Sequence, residues 1–162
     1  MEKVITMLKN YPSEDVAVVG IWGMGGAGKT TIAKTIYNQM GPTFESRSCL
    51  SNIREVWGQE KGKVCLQNQL LSEICKTTQM KINSIEAGII TLKDRLRHKK
   101  ALVVLDDVDE LPQLNALAGS YDWFGQGSRI IITTRDKRLL PMGCPVYPIE
   151  NLDDKESIEL FS

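Results

Sequence analysis

The chain is poor in the residues that build metal and redox centres. Histidine occurs once, as His98, and cysteine four times, as Cys49, Cys65, Cys75 and Cys144. No C-x-x-C pair is present, and no cysteine stands at metal-ligand spacing from the histidine. Zinc-finger and dithiol chemistry are thereby set aside, and the cysteines read as reduced thiols of a cytosolic or nuclear protein. Net charge is also lacking, because 20 Lys and Arg balance 20 Asp and Glu. That balance removes any general attraction to nucleic acid or to an anionic membrane. One basic cluster exists, formed by Lys93, Arg95, Arg97, His98, Lys99 and Lys100. It reads as a solvated helix C-terminus, where cations offset the helix dipole. No basic start followed by an apolar core marks a signal peptide. The longest apolar stretch is broken by glycines and stops at Lys29, so no membrane span is expected. Repeats and low-complexity tracts are absent.

What is present alternates strands with helices. The 162 residues suffice for one domain, or a piece of one, with a real core. Val4, Ile5, Leu8 and Tyr11 are helically spaced, so residues 1–12 form a lead-in helix and linker. A strand over Val16–Trp22 and a helix from Thr31 follow, and Gly41-Pro42 ends that helix. Ser48–Ser51 reads as a short strand. Leu66, Leu70, Leu71 and Ile74 share one helix face. Ile85, Ile89, Leu92 and Leu96 share another, with Asn83 as cap and Glu86 at N3. Ala101–Leu105 and Arg129–Thr133 are apolar and rich in β-branched residues, as strands buried on both faces are. Leu111–Ala118 is a short helix and Val146–Ile149 a fifth strand. A last helix is expected from Asp153, with Glu156 at N3. The pattern predicts an α/β fold: a parallel sheet of about five strands flanked by helices.

Between the first strand and its helix stand Gly23, Met24, Gly25, Gly26, Ala27, Gly28, Lys29 and Thr30. They match the phosphate-binding pattern G-x-x-x-x-G-K-[ST] in its required strand–loop–helix setting. Backbone N–H groups can wrap a phosphate only where no Cβ intervenes and φ can turn positive. The helix start aims its unpaired N–H groups and positive dipole end at the same point. A lysine in a first turn opposes that dipole, so Lys29 is explained by a polyphosphate lying between them. Thr30 would give its hydroxyl to Mg²⁺, and Lys29 would bridge β- and γ-phosphates. Thr31 would touch the α-phosphate or serve as an ordinary helix residue; both readings stand.

Two further sites sit at strand ends, the edge that faces the ligand crevice in open α/β sheets. Leu102–Leu105 delivers Asp106 and Asp107, the Walker B arrangement. Asp106 would hold Mg²⁺ through water, and Asp107 would orient or deprotonate an attacking water. Helix capping is the plainer role for such acids, and it is assigned here to Asp109. Thr133-Thr134-Arg135 closes the next strand, where the guanidinium would reach a γ-phosphate and report its presence. Gly23-x-Gly25-x-x-Gly28 also spells a dinucleotide fingerprint. That motif needs an acid at the end of the second strand, some ~20 residues on. The nearest acid considered, Glu55, lies well past that strand, and the fingerprint leaves Lys29, Thr30 and the Asp pair unexplained.

The stretches GIWGMGGAGKTTIAKTIYNQM, FESRSCLSNIREV, LVVLDDVDELPQLNAL and GSRIIITTRDKRLL occur in that order. Together they resemble the NB-ARC domain of plant disease-resistance proteins of the NLR class, over almost the whole chain. Asp109 in Leu105-Asp106-Asp107-Val108-Asp109, and the Phe44–Glu55 segment, resemble the subclass with an N-terminal TIR domain. The coiled-coil subclass usually has tryptophan where Asp109 stands. The resemblance implies a P-loop NTPase fold over residues 13–162 and a switch holding ADP at rest and ATP when active. It implies a defence role and a cytoplasmic or nuclear location. It also implies that the strand ending at Arg135 lies between the P-loop and Asp106 strands. TIR and leucine-rich-repeat domains are the family's partners in the full-length chain. The adenine-contacting segment before the lead-in helix and the helical subdomains after Ser162 are missing from these residues. The P-loop subdomain is therefore expected to be truncated at its C-terminal end and to bind nucleotide weakly alone. Two other functions compete: a slow Mg²⁺-dependent ATPase, and an inert fragment pairing with a full-length partner through apolar Ile158, Leu160 and Phe161. A small-molecule kinase would need a basic, glycine-flanked lid, and none is found.

Overall fold

A strand apolar on both sides must be covered on both sides, and three such strands organise this molecule. In a computed structural model, which describes residues 2–24, 28–76 and 81–149, they are β1 (Ala17–Gly23), β3 (Ala101–Val108) and β4 (Arg129–Thr134). Two shorter strands, β2 (Ser46–Leu50) and β5 (Val146–Ile149), complete a parallel sheet of order β2-β3-β4-β1-β5.

Side chains alternate between faces along each strand, and the core divides accordingly. Ala17, Val19, Ile21, Leu102, Val104 and Ile131 point to one side. There they meet Val4, Ile5 and Leu8 of α1 (Glu2–Asn10) and Ile32, Ala33 and Ile36 of α2 (Lys29–Met40). Val18, Val103, Leu105, Ile130 and Ile132 point to the other. Four helices pack on that face: α3 (Ile53–Trp57), α4 (Gly62–Cys75), α5 (Ile85–Leu96) and α6 (Leu111–Leu117). The apolar rows Leu66, Leu70, Leu71, Ile74 and Leu92, Leu96 are buried as their spacing predicts. Among the described residues the cysteines are free thiols.

Three local features differ from the sequence reading, two of them caps and one an element it did not contain. Ser84, rather than Asn83, caps α5, its hydroxyl accepting the Ala87 N–H at 3.1 Å. Ser84 has the extended backbone that an N-cap requires, and Glu86 then falls at N2. Glu110, rather than Asp109, holds the N-cap position of α6. Gln113 turns back to accept the Asp109 and Glu110 N–H groups at 2.9 and 3.3 Å and donates to the Asp109 carboxylate at 2.6 Å. The third change is α3, one turn and a half whose buried residues Ile53 and Trp57 are too few to show a period. The helix expected from Asp153 lies outside the described residues.

Arg129 joins the lead-in helix to the sheet. Buried at the start of β4, it donates from Nε to the Leu8 carbonyl at 3.0 Å. Nη1 donates to the Asp15 and Ser128 carbonyls at 2.8 and 3.1 Å. Nη2 donates to those of Tyr11 and Pro12 at 3.2 and 3.4 Å. A helix leaves its last carbonyls unpaired, and the planar guanidinium collects several at once. Burial pulls its pKa down, and the nearby Asp15 opposes that shift. The cation thus satisfies backbone groups that would otherwise be buried without donors. Arg129→Met keeps volume but strips these donors. Urea denaturation at pH 7 is expected to show a loss of about 2–4 kcal/mol, together with faster amide exchange in α1; wild-type stability would show the clasp to be idle.

Candidate functional site

The C-terminal ends of β1, β4 and β3 lie side by side, and the chemistry predicted from sequence gathers there. β1 closes with Gly23, and no side chain would fit at that position. A Cβ would come within 2.0 Å of the Ile149 carbonyl oxygen on β5. The first glycine of the motif therefore has a packing role besides any phosphate role. Gly28 precedes α2 at φ 88, the left-handed region that favours glycine. The first turn of α2 carries no acidic residue, and no side chain caps its N-terminus. Its N-cap glycine thus offers the leading amides no side-chain acceptor.

Lys29 is only 7 % exposed, and its Nζ donates to the Met24 carbonyl across the loop at 2.9 Å. Burial is the main cause holding its pKa below the ordinary lysine value, and the positive charge of Arg135 adds to it. Asp107 and Asp106 pull the other way. An anion placed here would relieve both the desolvation and the repulsion.

Asp106 is 2 % exposed at the end of β3. A buried carboxylate requires donors, and two threonines supply them. Thr30 Oγ1 lies 3.1 Å from each carboxylate oxygen. Thr133 Oγ1 donates to Oδ1 at 2.7 Å and accepts the Asp107 N–H at 2.8 Å. Asp107 sits at φ 66, where the register between β3 and β4 slips past Leu105. Such a backbone is uncommon for a non-glycine residue and turns its carboxylate out of the ladder. That carboxylate pairs with Arg54 Nε of α3 at 3.3 Å.

The family model described as the NB-ARC domain matches residues 1–162. The chain belongs to the NB-ARC family. It is 46% identical over 153 residues to disease resistance protein RUN1 of Vitis rotundifolia, covering 93% of this chain and 11% of that protein. It is 43% identical over 168 residues to TMV resistance protein N of Nicotiana glutinosa, covering 99% of this chain and 14% of that protein. These relatives are TIR-type plant disease-resistance proteins, as the Asp109 and Phe44–Glu55 features suggest. The chain spans about a ninth to a seventh of their length. Among solved structures, a signal-transduction ATPase with numerous domains from Pyrococcus horikoshii aligns with 92% of this chain and 22% of its own. Its TM-score is 0.47 at 16% identity, and the fold is assigned here from the strand order and the loop instead.

In this NB-ARC chain β4, the strand that leads to Arg135, does lie between β1 and β3, as the resemblance implies. Lys29, Thr30, Asp106, Asp107 and Arg135 share one edge of the sheet. Met24 and Thr31 are exposed beside them, and the Thr31 carbonyl accepts from Thr35 Oγ1 at 2.8 Å. Gly25, Gly26 and Ala27 lie outside the described residues. Two contributors escaped the sequence reading. The hydroxyl of Thr133 belongs to a residue type common in any strand. Arg54 stands 53 residues from its partner, on a helix too short to show a period. Thr133→Val keeps the shape and removes the donor, leaving one Asp106 oxygen short. Thermal and urea unfolding without nucleotide are expected to show a loss of about 1–3 kcal/mol; full stability would mean the carboxylate is satisfied otherwise.

Proposed function

We propose that this chain is the nucleotide-binding switch module of an intracellular plant immune receptor, holding ADP at rest and ATP when active. The meeting of Thr30 with Asp106, 76 residues apart, carries the proposal. A hydroxyl and a buried carboxylate side by side offer the hard oxygen donors that suit Mg²⁺. Lys29 and the open start of α2 offer the complementary positive potential for a polyphosphate tail. The residues present therefore fit both groups. Names of the relatives that speak of disease resistance support the immune setting. TIR and leucine-rich-repeat domains would be its partners in a full-length protein, in the cytoplasm or nucleus.

In this reading Lys29 exchanges the Met24 carbonyl for β- and γ-phosphate oxygens. Gly23–Thr31 line the phosphate path. Thr30 would give its hydroxyl to Mg²⁺, and Asp106 would hold the ion through water. When bound, Mg²⁺ neutralises charge shared by the phosphates. Arg135 reads the γ-phosphate, the one group by which ATP and ADP differ. A switch moves only as far as its two states differ in affinity, so that contact sets its range.

A second reading, slow hydrolysis, is favoured by one observation. Asp107 is held at a strained φ with its carboxylate turned toward solvent and Arg54. In that reading Arg54 restrains the carboxylate at rest, and Asp107 orients water once released. The apolar residues that would make an inert pairing fragment, Ile158 to Phe161, lie outside the described residues.

Calorimetric titration with ADP or ATP and Mg²⁺, followed by a phosphate-release assay, separates these functions. A switch binds ADP and turns over slowly, an enzyme releases phosphate many times over, and an inert fragment does neither. Lys29→Ala is expected to weaken nucleotide binding by about 10–100-fold, the loss of one or two charge-assisted hydrogen bonds. Unchanged ADP affinity in that variant would falsify the site. Asp107→Ala is expected to keep binding and to lower any phosphate release; equal release would remove Asp107 from the mechanism.

A further inference from the structure

Arg135 is the first residue past β4, so the sheet ladder no longer fixes its backbone. Something else does. Trp22, the penultimate residue of β1, stands opposite Thr134 in the parallel register. Its indole Nε1–H donates to the Arg135 carbonyl at 3.0 Å. The Lys137 ammonium lies 4.9 Å from the centroid of the same ring. Between the two cations, the Asp136 carboxylate is occupied by Arg138, with Nε and Nη2 donating at 2.9 and 3.0 Å. One half-buried indole thus touches both the peptide of the sensor arginine and the cation two residues on. It lies directly before Gly23, where the phosphate loop begins.

We propose that Trp22 is a positioning residue for γ-phosphate recognition: its N–H sets the Arg135 backbone, and its face holds Lys137 alongside. This rests on the reading of Arg135 given above and deepens it. An apolar strand-end residue needs only bulk at position 22, and phenylalanine would meet that need. The indole N–H is a donor that phenylalanine lacks, and it is spent on the residue whose placement decides whether a third phosphate is felt. The cation–π contact holds Lys137 on the face of the same ring, two residues past Arg135.

The test uses the whole chain as wild type, Trp22→Phe, Arg135→Ala and the double variant, each titrated with ADP·Mg²⁺ and ATP·Mg²⁺. Arg135→Ala is expected to lower the ratio of ATP to ADP affinity. Trp22→Phe is expected to lower the same ratio about three- to tenfold, the net worth of one hydrogen bond. It should leave ADP affinity within about twofold, and it should add little in the Arg135→Ala background. A ratio unchanged by Trp22→Phe but lowered by Arg135→Ala overturns the positioning role and leaves the sensor standing. A ratio that neither variant moves overturns both. Equal losses for ADP and ATP assign Trp22 to general packing and also overturn it. Should Trp22→Phe fail to fold, the assigned indole N–H resonance of the wild-type chain decides. ATP is expected to shift it and slow its exchange more than ADP does; an indole signal indifferent to the third phosphate rejects the proposal.

Discussion

A carboxylate at the end of a fully buried strand must find hydrogen-bond donors or give up its charge. Asp106 is that carboxylate, and its two threonine partners tie three elements together. Thr30 comes from the first turn of α2, and Thr133 from the neighbouring strand β4. Through Thr133 the same bond chain reaches the Asp107 amide and so sets the outward turn of Asp107. One buried carboxylate thereby fixes α2, the acidic pair and β4 in one frame.

Positive charge is arranged with the opposite logic. Arg129 spends its donors on carbonyls at the start of β4 and closes the end of α1. Arg135, at the far end of the same strand, is exposed, and its charge reaches Lys29. A single strand therefore has a buried arginine at its start and an exposed one just past its end, and sheet direction separates them. Strand ends at the C-terminal edge of open α/β sheets face the ligand crevice, while at the opposite edge here Arg129 is tied to the end of α1. Lys29, Thr30, the Asp106–Asp107 pair and Arg135 all fall on that C-terminal edge.

The strongly patterned parts of the fold were legible. β1, β3, β4 and β5 and the apolar rows of α4 and α5 follow from runs and periods long enough to exceed chance. Gly28 and Lys29 could be singled out because the phosphate motif demands their types at that spacing. Less legible were features decided by one atom. Asn83 and Ser84 are equally good caps in isolation, and only the backbone at Ser84 selected between them. Asp109 lost the capping position when Gln113 folded back to take the amides there. The α3 helix and its Arg54 left no trace, because a five-residue helix has no second turn to repeat.

The sequence by itself determined the strand–helix alternation, the phosphate loop and the placing of acids and arginine at strand ends, because these depend on neighbours along the chain. Tertiary structure alone decided that β4 lies between β1 and β3 and that Thr133 completes the shell around Asp106. It also decided that Arg54 pairs with Asp107, and that Trp22 reaches the Arg135 carbonyl 113 residues away. These are contacts between segments distant in sequence. No local pattern encodes them, since each hydroxyl, guanidinium or indole would serve as well on a solvated surface until packing gives it a partner.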